Sequence, residues 1–157
     1  MGGDLNLRSQ ESGARSQKAP SFLIHAIKDS EGANLDRIQV IKGWVDKNGE
    51  THEKIFDVAW SDTRVKAADG QLPAVGNSVN MATATYTNDI GAVSLQTMWT
   101  DPEFNAEVSA FYYLRVLEIP TPRWTTYDAV ALGVPLPSGV PPTIQERAWS
   151  SPIWYKP

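Results

Sequence analysis

The chain has 157 residues, of which 41% are hydrophobic and 20% charged, with a net charge of −4. These values describe one foldable globular domain and exclude a disordered chain; the negative balance speaks against an electrostatic grip on nucleic acid or an anionic membrane surface. Cysteine is absent, which removes disulfides, thiolate catalysis and thiolate zinc sites together.

Residues 1–19 read as a flexible connector or tail, too polar apart from Leu5 and Leu7 to hold a core. Met1 to Leu7 has neither the basic start nor the apolar stretch of a signal peptide, and no apolar run reaches the ~18 residues of a membrane helix. The folded domain is expected over 20–157. Its first strand is Ser21 to Lys28, followed by turn chemistry at Asp29-Ser30-Glu31-Gly32. Leu35 to Val45 alternates: Ile38, Val40 and Trp44 share one face, interrupted by Lys42, while Arg37, Gln39 and Ile41 share the other. Asn48-Gly49 is a hairpin signal, since both residues tolerate positive φ. Thr51 to Trp60 then alternates again. Ser61 to Gly76 is loop. Ser78 to Asn88 and Ser94 to Thr100 read as strands, the second stopped by Asp101-Pro102, and one helical turn is expected within Glu103 to Ala110. Ala110 to Ile119 is the clearest strand. The segment 120–142 holds 6 of the 11 prolines and cannot be a central strand, because proline lacks the ladder donor. A short helix fits at Thr126 to Leu132, started by Thr125 or Thr126 and closed by Gly133. The last strand runs from Glu146 to Tyr155, with Pro152 demanding an edge or a bulge. About seven short strands with little helix predict an all-β, antiparallel, immunoglobulin-like sandwich carrying a long Pro-rich loop.

Chemistry is sparse. The two histidines, His25 and His52, sit on separate predicted strands; His52-Glu53-Lys54-Ile55-Phe56 begins like a zinc-protease helix motif but has Phe56 where the second His belongs. His25 reads as a hydrogen-bonded residue beside the core. No Gly-rich phosphate loop and no nucleophile elbow occur. The carboxylates Asp36, Glu53, Asp57, Glu118 and Asp128 are scattered, and most read as solvated. No catalytic and no metal-binding residue is therefore expected in this chain. The one candidate site is the proline-stiffened stretch 120–128, where Arg123, Trp124, Tyr127 and Asp128 come together. Arg123 offers a planar fork for an anionic substrate or an interface. In the plainer reading the loop folds over the sandwich edge and Trp124 and Tyr127 anchor it. The 6 tryptophans are core and corner residues, or in part an exposed sugar platform.

Several strings carry a resemblance: MGGDL at the start, LDRIQVIKGWVD, ATYTN before IGA, WTDPEF, FYYLRVLEIPTPRWTTYDA and the ending IQERAWSSPIWY. Together they resemble the C-terminal part of a bacterial family catalogued as domain of unknown function 3604. Its members look like metal-dependent hydrolases of the polymerase-and-histidinol-phosphatase type, several hundred residues long. The resemblance implies that their divalent metal is held by His and Asp residues of an N-terminal barrel-like domain, with no cofactor in this chain. It further implies a C-terminal fragment without a catalytic centre, whose partner is that N-terminal domain; the many aromatics for one small sandwich add the expectation of an exposed apolar face that this partner covers. The alternative is a free-standing, carbohydrate-type binding module.

Overall fold

A computed structural model describes residues 2–5 and 18–157. The alternation read in the sequence builds its centre. Strand β3 (Leu35–Val45) pairs antiparallel with β4 (Thr51–Trp60) on one side and with β6 (Ala110–Glu118) on the other. The far edge of β6 is shared by two short strands, β9 (Arg147–Trp149) and β10 (Ile153–Tyr155). Strand β1 (Gly3–Leu5) adds parallel to β10. Of the expected connector, then, residues 3–5 are in the sheet; residues 6–17 lie outside the described residues. A two-stranded antiparallel ribbon of β2 (Ser21–Ile27) and β5 (Ser94–Thr100) covers one face of this sheet.

The two layers enclose the core. The ribbon contributes Ile24 and Leu95; the sheet contributes Leu35, Ile38, Val40, Ala110, Tyr112 and Tyr155. Phe22, Trp99 and Tyr112 pack ring against ring between the layers, with Phe22 5.2 Å from Tyr112 and Phe56 5.2 Å from Trp99. Each large apolar side chain buried in this way stabilises the fold by about 1.5–3 kcal/mol. The fold is an all-β sandwich, as the spacing of strands and turns predicts.

Several local expectations need correction. Ser78 to Asn88 is no strand: it forms turns around an isolated bridge between Asn80 and Thr85, because Asn77 and Asn80 accept backbone N–H groups through their side chains. Glu103 to Ala110 holds turns without helix; Asp101 and Asn105 take up its N–H groups. The last strand is split at Ser150, whose Oγ accepts the Leu114 N–H at 2.9 Å and so keeps the ladder bonded across the Pro152 interruption. His25 does not lie beside the core but points outward from β2, exposed. In the hairpin turn only Gly49 has positive φ, at 83°; Asp46 Oδ1 accepts the N–H groups of Asn48 and Glu50.

Candidate functional site

The stretch 120–128 is built at the exit of β6. Thr121–Pro122 forms a short strand, β7, paired with β8 (Thr143–Ile144), and the chain enters the helix α1 (Trp124–Leu132) directly. Residues 124–128 are therefore helical. The helix begins two residues earlier than the threonines suggest, because Arg123 takes the N-cap position with extended backbone and no side-chain cap. Thr126, one of the two expected caps, instead donates its hydroxyl to the Pro142 carbonyl at 2.6 Å. Gly133 closes the helix in the left-handed conformation, and Val134 N–H reaches the Ala129 carbonyl at 3.0 Å.

This helix is turned inside out. Its buried residues are the small or polar Thr125, Thr126 and Ala129. Its solvent side carries Trp124, 66% exposed, Leu132, 73% exposed, and the exposed Tyr127. Trp124, Tyr127 and Asp128 stand three and four positions apart, so they share that face. Arg123 stands apart from them: it is half-buried, its Nε is enclosed without a hydrogen-bond partner, and it makes no ion pair among the described residues. The four residues singled out in the sequence thus come together on one segment, but only Trp124, Tyr127 and Asp128 face solvent as a group. Leu132 belongs with them and was not singled out; its position one turn beyond Asp128 was the available signal.

Buried charge is concentrated elsewhere. Lys42 and Asp101 form an ion pair at 2.6 Å with almost no exposure of either side chain. Lys42 Nζ also donates to the Glu103 carbonyl at 2.8 Å, and the Tyr112 hydroxyl donates to the same Asp101 carboxylate at 2.8 Å. Burial, and then the hydrogen bond and charge of Asp101, push the Tyr112 hydroxyl well above its ordinary pKa, so it stays a donor. Lys42, Glu103 and Tyr112 line a cavity of about 320 Å³ together with Trp44, Phe104 and Val108. An ammonium committed to a carboxylate has no lone pair to offer a substrate, so the arrangement holds the layers together rather than supplying a nucleophile. A second buried carboxylate, Asp36, meets Arg64 at 2.7 Å and Arg37 at 3.0 Å, and Arg64 also donates to the Ser61 and Pro73 carbonyls. This arginine fastens the long 61–93 connection to the start of β3.

The second histidine, His52, sits on the exposed end of β4 with its Nε2 3.0 Å from Asp46 Oδ2 and its ring stacked on Trp44. That hydrogen bond is the main cause holding the Asp46 carboxyl below its usual range, helped by the backbone N–H of Glu50. Among the described residues no three His, Asp or Glu side chains converge as metal ligands, and no helix is long and apolar enough to cross a membrane.

Comparison with curated proteins and with solved structures gives no match. A family profile described as "Protein of unknown function (DUF3604)" matches residues 1–157, and the chain belongs to that family.

Proposed function

We propose that this domain is an accessory β-sandwich that docks, through the outer face of α1, against the catalytic domain of a larger metal-dependent hydrolase. The observation that carries the reading is the inverted helix: Trp124, Tyr127 and Leu132 face water while Thr125, Thr126 and Ala129 face the protein. A nine-residue helix is marginal on its own, and an apolar outer face with a small, polar inner one suits a helix that is covered on both sides. Trp and Tyr are the residue types that anchor interfaces. Asp128 would lie at the rim of such a contact, and Arg123 at its edge. The hydrolase assignment of the partner rests on the resemblance of the family to metal-dependent enzymes whose ligands are His and Asp in an N-terminal domain.

The test is a calorimetric titration of this chain with the separately expressed N-terminal domain of a longer family member. Saturable binding that is lost in the Trp124→Ser, Leu132→Ser double variant, with its melting temperature unchanged, supports the reading. Absence of binding, or binding indifferent to both substitutions, removes it.

A further inference from the structure

The face of the main sheet turned away from the ribbon carries an aromatic strip that the core does not use. Register places its residues. Trp154 on β10 lies opposite Phe111 on β6, which lies opposite Gly43 on β3 and then Glu53 on β4. Two residues on, Tyr113 lies opposite Ile41 and Ile55; two further on, Trp149, Arg115, Gln39 and Asp57 form a third row. Phe111 to Arg115 spans four residues, so the first and third rows stand about 13–14 Å apart.

The strip has a floor and two ends. Phe111 and Tyr113 have rings within 11° of parallel and 6.3 Å apart, and Phe111 reaches across to occupy the space above Gly43. The ends are more open: Trp154 is 47% exposed and Trp149 58%. Beside Trp154 and Phe111 lies a groove of about 770 Å³, also lined by His52, Glu53 and Lys156, within the ~300–1,000 Å³ of small-molecule sites. Beside Trp149 the polar groups are fixed in advance. Arg115 Nε donates to Gln39 Oε1 at 2.8 Å, and Gln39 Nε2 donates to Asp57 Oδ1 at 2.7 Å. The terminal guanidinium nitrogens of Arg115 make no protein hydrogen bond among the described residues.

We propose that this strip is a binding site for a neutral oligosaccharide of pyranose units. Pyranose rings present apolar C–H faces that stack on aromatic side chains, while their hydroxyls take up hydrogen bonds at the edges; the strip offers aromatic faces with polar groups at its two ends. Its charges cancel locally, Arg37 lying 3.0 Å from Asp36 and 3.6 Å from Asp57 and the groove holding both Glu53 and Lys156, which suits an uncharged ligand. Single-stranded nucleic acid also stacks on aromatic rings, but it needs a basic track that a chain of net charge −4 does not offer here. The site is independent of docking through α1.

Cellohexaose, xylohexaose and mannohexaose, each titrated into the intact chain by calorimetry, test the assignment. At least one is expected to bind saturably, with affinity about tenfold weaker in Trp149→Ala and in Trp154→Ala, largely retained in Trp149→Phe, and unchanged in Trp124→Ala. Trp149 is the more exposed of the pair, so its variant keeps the fold even where Trp154→Ala does not; matching near-ultraviolet dichroism verifies this. No saturable binding of any of the three, or binding insensitive to Trp149→Ala, overturns the proposal. So does loss of N-terminal domain binding in Trp149→Ala, which would make the strip a protein interface.

Discussion

Asp101 serves two buried partners at once. It neutralises Lys42 at 2.6 Å and accepts the Tyr112 hydroxyl at 2.8 Å, and all three are sealed from solvent. Removing the carboxylate strands a charge inside the sandwich. Asp101→Ala is therefore expected to cost about 3–5 kcal/mol, whereas Lys42→Met combined with Asp101→Leu costs far less, because replacing both members of a buried pair is close to neutral. Urea denaturation of the two variants checks the contrast. Lys42 was the one residue that interrupted the apolar face of the third strand in the sequence, and nothing local explains it; its partner lies 59 positions away, beyond any periodicity. Glu118 offers a second residue-level test. Burial first, then the neighbouring carboxylates Glu146 and Asp29, raise its pKa. The folded state thus holds the proton more tightly than the unfolded state, and the charged form costs stability at pH above the folded value. Glu118→Gln is expected to raise the melting temperature slightly near pH 7, with the advantage fading as pH falls to about 4, where the wild-type carboxyl is itself protonated. A constant advantage across that range would contradict the assignment.

At the scale of elements, the central hairpin and β6 were legible because alternation and a turn signal agree there. The split of the last strand was legible in part: Pro152 announces an interruption, but not that Ser150 bridges it. Ser78 to Asn88 misled because its threonines favour strands by type, yet Asn77 and Asn80 take up backbone N–H groups and draw the segment into turns. The start of α1 was misplaced for a related reason: Thr126 is an excellent cap by type, yet its hydroxyl is taken by Pro142 on the returning chain. The stretch 120–128 could be marked from composition, but which of its side chains face outward depends on the helix phase. An exposed sugar platform among the tryptophans could be raised from composition, but not which residues form it, since the rows of the outer strip join residues from up to four strands. Gly43 shows the constraint on it: a Cβ there would clash with the edge of the Phe111 ring. Gly43→Ala is expected to destabilise by about 1–3 kcal/mol as the ring is displaced, and Phe111→Leu in the same chain to recover part of that loss. Thermal melts of the single and double variants measure it.

For the whole molecule, interior and surface divide the work. The charged groups that look most like chemistry in isolation, Lys42 with Asp101 and Asp36 with Arg64, are spent inside on joining layers and fastening a connection. The residues left for contact are aromatic and apolar and stand on two separate faces, α1 and the outer sheet. In the proposed arrangement the first is covered by a partner domain and the second is free of it. Hydrogen exchange across the chain, alone and in the presence of the N-terminal domain of a longer family member, addresses both at once. Strong added protection is expected over residues 123–134 and none over 111–115 or 147–155. No change at 123–134, or protection confined to the outer sheet, would contradict it.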